Sequence, residues 1–168
     1  VLCVYAVAAT VAMALIAGGI VIWLVETFHK AAKNREGQPR IDSINATQAL
    51  KVGAFQALAV VPGVSRSGAT IIGGLLSGLD RVTAAAFSFY LSIPIIIVAS
   101  VYQLSKGSEG YATLSGGLPA LITGTCAAFL TALLVIKWLL RYVSNHDFKI
   151  FAYYRIVLGV VILLAIYL

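Results

Sequence analysis

Between Pro62 and Ile71 the chain reads PGVSRSGATI. The run gathers one guanidinium, Arg66, with the hydroxyls of Ser65, Ser67 and Thr70 and the bare backbone of Gly63 and Gly68. These residue types at this spacing suit the binding of an oxyanion, above all a phosphate. An arginine offers a planar fork that holds two phosphate oxygens. Serine caps helix N-termini, and a helix N-terminus presents free N–H groups and a partial positive charge. Glycine lets the backbone turn tightly and come close to a ligand. The run therefore predicts a phosphate cradle at the start of a helix beginning near Gly68, with Ser65 and Ser67 as its capping residues.

The cradle does not match the common soluble phosphate motifs. The GxxxxGK[ST] loop is absent, and Ile72 stands where a Ser-Arg acid-phosphatase pattern would place a histidine. His29 and His146 fall in loops away from the run, so neither is expected as its nucleophile or base. Cys3 and Cys126 lie in apolar runs without CxxC spacing and are expected as packing residues, so neither a metal site nor a disulfide is predicted. Gln56, nine residues before Ser65, either reaches the same cavity or bonds a neighbouring helix; the spacing leaves both open.

The elements that must carry the cradle are apolar. The chain of 168 residues is 61% hydrophobic and only 11% charged, with a mean hydropathy of +0.98. Soluble domains carry about 25% charged residues, so an all-α integral membrane protein is expected. Spanning helices are predicted over 1–25, 82–104, 118–140 and 151–168, since about 20 apolar residues cross the hydrocarbon core. The intervening 44–79 segment is apolar but broken by glycines and Pro62 into pieces of about 15 and 13 residues, each too short to cross comfortably. It reads as a re-entrant helix hairpin with the cradle at its tip. Irregular backbone at that depth is tolerated where protein or a water-filled cavity surrounds it. The 26–42 and 141–149 loops are basic and 105–117 is not, which places the first two in the cytoplasm and the third outside. Four basic residues beside a membrane helix do not argue for nucleic-acid binding. The chain opens VLCVYAV and its only methionine is Met13, so residues are expected to be missing before Val1.

Arg66 is expensive in this setting. An arginine at the bilayer centre costs about 2.5–3.5 kcal/mol on insertion scales, and the nearest charged residues are Lys51 and Asp80. It is therefore expected to face an internal cavity and to have an anionic partner. The carboxylates Glu26, Glu36, Asp42, Asp80, Glu109 and Asp147 all fall in loops or at helix ends. A ligand or a missing part of the protein must then supply the counter-charge. Three readings of the residues stay open: a phosphate-handling enzyme, an anion or lipid transporter built on broken helices, and a structural subunit whose arginine pairs with a partner's acid. Gly73, Gly74 and Gly78 are expected to allow close helix packing.

FQALAVVPGVSRSGATIIGGLLSG from Phe55 to Gly78, followed by FSFYLSIP from Phe87 to Pro94, resembles the undecaprenyl-diphosphatase family, the bacitracin-resistance membrane phosphatases. The resemblance runs over essentially the whole chain, as the C-terminal part of the family. It implies an enzyme of the bacterial plasma membrane that converts undecaprenyl diphosphate to undecaprenyl phosphate and recycles the cell-wall lipid carrier. It also implies one half of an inverted-repeat architecture, with two hairpin tips meeting in a cavity open to the outside. A transporter or flippase for a polyprenyl phosphate is the alternative function. On this resemblance Arg66 binds the diphosphate, Ser65 and Thr70 join it as catalytic-site residues, and Ser67, Gly68, Gly63 and Gln56 contribute to substrate binding. The polyprenyl tail would lie along apolar walls that include Phe87, Phe89 and Tyr90.

The family's paired glutamates and its Ser-Ser-Thr-Gly-His run do not occur here. In the repeat-related register Gln56 stands where the first glutamate would, and Ala69 where the histidine would. The expected partners are thus the polyprenyl diphosphate, the lipid bilayer, an N-terminal half carrying the glutamate and histidine groups, and a second copy of the chain as a homodimer. No cofactor or metal is expected in this chain, with a divalent cation, Mg or Ca, assigned to the complete protein.

Overall fold

A computed structural model describes residues 2–28, 39–106 and 117–167. All regular structure among them is helical. The order is α1 (Leu2–Phe28), a 3-10 turn (Ile41–Ser43), α2 (Ala46–Gln56), a second 3-10 turn (Ala57–Val60), α3 (Arg66–Leu76), α4 (Arg81–Lys106), α5 (Gly117–Asn145) and α6 (Lys149–Tyr167). Among the described residues four stretches are long and apolar enough to cross a membrane: Tyr5–Phe28, Arg81–Gln103, Pro119–Asn145 and Lys149–Tyr167. The protein is an all-α membrane protein, as its composition requires.

The helices run past several expected ends. α1 continues through Glu26 to Phe28, and α5 continues to Asn145, so Arg141–Asn145 are helical rather than loop. Short-range bonds carry these extensions; His146 N–H still donates to Tyr142 O. His29, Lys30, Lys33, Arg35 and Glu36 of the basic loop, and most of the 105–117 loop, lie outside the described residues.

α2 and α3 have 11 residues each, so each is about 16 Å long at 1.5 Å per residue. Neither is long enough for the ~30 Å hydrocarbon core. Their antiparallel pairing is fixed at the base. Asn45 caps α2 by accepting from Gln48 N–H, while Gln48 Oε1 accepts from Asn45 N–H, a reciprocal cap. Gln48 Nε2 then donates to Ser77 O, at the end of α3. Gly78, at φ +86°, ends α3 in the left-handed conformation that favours glycine, and Leu79 N–H closes back on Gly74 O. Gly73 and Gly74 let neighbours in: added Cβ atoms would stand 2.8 Å from Phe55 and 2.9 Å from Ala84.

The core gathers where the hairpin meets the long helices. It holds Ile72, Leu75 and Leu79, then Ala84 and Ala85 of α4, Ile22 of α1, Val143 of α5, and Phe148 and Ala152 around the start of α6. α1 and α6 pack closely along a seam of small residues. A Cβ on Gly19 would meet Ala152 O at 2.9 Å, and one on Gly159 would meet Ala12 O at 2.8 Å. α5 keeps its apolar surface outside: Phe129, Leu130, Leu133, Leu134 and Trp138 are all exposed. Cys126 on the same helix is exposed too, not packed as its apolar run predicts. An exposed apolar helix face is ordinary in a bilayer, where the lipid is as apolar as leucine.

Candidate functional site

The hairpin tip lies between Val61 and Gly68. Pro62 and Gly63 turn the chain, with Gly63 at φ +91°. Gly63 also lies flat against α1, where a Cβ would stand 2.7 Å from Val11 Cα and 2.8 Å from Val11 O. Both observations require glycine there. α3 then starts at Arg66, two residues before the expected start, which shifts the roles of the serines. Ser65 is the N-cap, accepting from Gly68 N–H at 3.1 Å. Ser67 is already in the first turn and does not cap; its hydroxyl meets Ser65 Oγ at 3.1 Å. The N–H groups of Arg66 and Ser67 have no acceptor within the helix, as at any helix start.

Two clefts open on this turn. The larger, about 330 Å³, is lined by Ser65, Ser67, Gly68, Ser88, Phe89, Arg155 and Glu26 among mostly apolar side chains. The second, about 260 Å³, runs between α1 and the hairpin and is lined by Gly18, Phe55, Val61, Ser65, Gly68 and Arg155. Ser65, Gly68 and Arg155 border both. They form the polar point at which two apolar clefts meet.

Arg155 is a site residue that the sequence reading does not single out. It sits in α6, and its Nη2 donates to Gly63 O at 3.2 Å and to Ala14 O at 3.5 Å. Its Nε is buried without a hydrogen-bond partner. The guanidinium thus arrives at the start of α3 from a helix remote in sequence. The available signal is a lone arginine inside the final apolar run, six residues beyond Lys149, and so hidden among residues expected at the membrane interface.

Arg66 is half-buried and lines neither cleft, and its side chain makes no hydrogen bond or ion pair among the described residues. The helix explains this. Gly68, Ile71, Ile72 and Leu75 form the cleft-facing side of α3, and two residues of helix turn Arg66 roughly 200° away from Gly68. Thr70 is 1% exposed. Its hydroxyl contacts Arg66 O, Ser67 O and, at 2.7 Å, Ser88 Oγ. It fastens the first turn of α3 to α4 and does not line either cleft. Gln56, the last residue of α2, is half-buried and lines neither cleft. Phe89 borders the larger cleft, whereas Phe87 and Tyr90 border neither.

Glu26 is the carboxylate that reaches the larger cleft, from the last turn of α1. It is committed elsewhere. Arg81 donates to both of its oxygens, with a shortest contact of 2.6 Å, and Phe148 N–H donates to Oε1 at 3.2 Å. Among the described residues no three His, Cys, Asp or Glu side chains gather to hold a metal ion. A divalent cation therefore has no fitting donor set here.

A family model and several curated relatives match almost the whole chain. The family model described as "Bacitracin resistance protein BacA" matches residues 3–161. The undecaprenyl-diphosphatase of Methylobacillus flagellatus is 50% identical over 155 residues, covering 92% of this chain and 57% of that protein. Undecaprenyl-diphosphatase 1 of Burkholderia cenocepacia is 48% identical over 160 residues, covering 94% and 56%. The undecaprenyl-diphosphatase of Cupriavidus necator is 48% identical over 177 residues, covering 94% and 59%. The chain thus spans a little over half the length of the curated relatives it matches. With a phosphate-suited helix start set between apolar clefts and a match along nearly all its length, this chain belongs to the bacitracin resistance protein BacA family.

Proposed function

We propose that this chain is the diphosphate-binding half of an undecaprenyl-diphosphate phosphatase. The observation that carries the reading is the capped start of α3, with its free N–H groups, standing beside the Arg155 guanidinium where two apolar clefts converge. A polar point with apolar walls fits an amphiphile whose head is an oxyanion and whose tail is a hydrocarbon. The names of the relatives support the choice of undecaprenyl diphosphate. In this reading the diphosphate rests on the backbone N–H groups and Ser65. Arg155 approaches from one side of the turn and the unpaired Arg66 from the other. Fixed positive groups stabilise charge that builds on a transferred phosphoryl group and need no reorganisation. Phe89 and the larger cleft take the first part of the tail.

The bond-breaking groups belong to the part of the protein outside these residues, as do the ligands of any divalent cation. The α2–α3 pair is read as a re-entrant hairpin in the plasma membrane. The basic ends of the spanning helices face the cytoplasm, and the tip lies in a cavity open to the outside. A second hairpin from the remainder of the protein would meet the tip there, and a second whole copy would be a homodimer partner.

The test is phosphate release from undecaprenyl diphosphate by the complete protein, purified in detergent. The unaltered protein should turn over, and Arg66→Ala should lose about a hundredfold or more in kcat while remaining monodisperse. Unchanged turnover in Arg66→Ala removes that residue from the mechanism. Movement of the intact prenyl diphosphate between leaflets without phosphate release would replace the enzyme by a transporter.

A further inference from the structure

We propose that Gly18 of α1 is a positioning residue for the site: its lack of a side chain is what lets Arg155 reach the first turn of α3. The inference rests on the diphosphate-binding reading of the tip. A Cβ at Gly18 would stand 2.6 Å from Arg155 Nη2, 3.2 Å from Cζ and 3.4 Å from Nε. On the other side, the Cβ position of Gly68 is 3.7 Å from Arg155 Nη1. The guanidinium is therefore slotted between two bare positions, one on α1 and one on α3.

Gly18 differs from the other glycines of the α1–α6 seam. At Gly19 and Gly159 a Cβ would strike backbone oxygens of the facing helix, so those residues set how closely the helices approach. At Gly18 all three nearest atoms belong to the far end of one flexible side chain. A methyl there displaces the guanidinium and leaves the helices where they are. Gly18 thus serves the site, whereas its neighbour serves the seam. The buried, partnerless Nε of Arg155 points the same way. Among the described residues only Nη2 of the guanidinium is held by hydrogen bonds, to the two carbonyls, so its placement leans on the walls of the slot.

The experiment compares Gly18→Ala, Arg155→Lys, Arg155→Ala and the double variant of the first two in the complete protein, by phosphate release from undecaprenyl diphosphate and by thermal midpoint. Lysine carries Nζ in the place of Cζ but lacks Nη2, the atom that an alanine methyl at position 18 would strike most closely. Gly18→Ala should lower kcat/KM by about tenfold to a hundredfold, the scale of a misplaced catalytic-site group. It should leave the thermal midpoint equal or higher, because alanine favours a helix over glycine. Arg155→Lys should also lose activity, and the double variant should lose no more than Arg155→Lys alone. Gly124→Ala on α5, where a Cβ meets nothing within 4 Å, should leave turnover unchanged.

Full activity in Gly18→Ala beside an impaired Arg155→Lys overturns the role of Gly18 and leaves the tip reading standing. Losses that multiply in the double variant, or a thermal midpoint that falls with activity, make Gly18 a packing residue and overturn the inference. Full activity in both Arg155→Lys and Arg155→Ala removes Arg155 from the tip reading, and this inference falls with it.

Discussion

At the scale of single residues, the proposed function divides the work of the tip between two arginines of opposite visibility. Arg66 stands out in the sequence because small residues surround it, yet it lines neither cleft. Arg155 borders both and holds Gly63 O from 92 positions away, a proximity that no local pattern encodes. Arg155→Ala in the complete protein should cost about a hundredfold in kcat/KM, with Arg155→Lys between it and the unaltered protein. Equal activity in all three would show that the guanidinium only fastens the tip. Thr70 has the converse character. Its position in the motif suggests a ligand donor, but its hydroxyl is buried against Ser88 and the backbone. Thr70→Val leaves Ser88 a buried hydroxyl without this partner. It should lower stability by about 1–3 kcal/mol, read as a lower thermal midpoint, with KM little changed. A raised KM at an unchanged thermal midpoint would return Thr70 to the binding surface.

At the scale of elements, two fastenings hold the hairpin and the long helices in register. Glu26 of α1 accepts from Arg81 at the start of α4 and from Phe148 N–H just before α6. Its side chain is 1% exposed and that of Arg81 is 34% exposed. Breaking a buried ion pair by removing one partner costs about 3–5 kcal/mol; solvent at Arg81 reduces this, so Glu26→Ala should cost about 2–3 kcal/mol. Chemical denaturation in mixed micelles measures it, and a loss under about 1 kcal/mol would show that the three helix ends hold together without the carboxylate. The second fastening is the reciprocal Asn45–Gln48 cap, which carries Gln48 Nε2 onto Ser77 O at the base of the hairpin. The helices themselves are legible from apolar run length, and the break at Pro62 and Gly63 shows where the hairpin turns. The N-terminal boundary of α3 is less so. Ser65 and Ser67 both have capping chemistry, and only the Gly68 N–H to Ser65 Oγ bond decides between them. Glu26 is hard to read for a similar reason: a charged residue at the end of an apolar run reads as loop until its partners, Arg81 and Phe148, are seen to bury it.

At the scale of the whole molecule, the proposed function gives this chain the grip and assigns the cutting groups to the rest of the protein. Its one carboxylate in the larger cleft is engaged by Arg81 and Phe148, and no metal-binding cluster forms among the described residues. Residues 1–168 alone in detergent should therefore release no phosphate from undecaprenyl diphosphate, while addition of the remainder of the protein should restore release. Turnover by the isolated chain would mean that the bond-breaking groups are within it. The span of the Arg155–Gly63 contact also bears on how the protein is made. A ribosome adds about 5–20 residues per second, so the 92 positions separating donor from acceptor amount to about 5–18 s of synthesis. During that interval the hairpin has already emerged but its clasp has not. The tip is finished by a segment translated well after it, and a nascent chain stalled before α6 would present an open hairpin to the translocon.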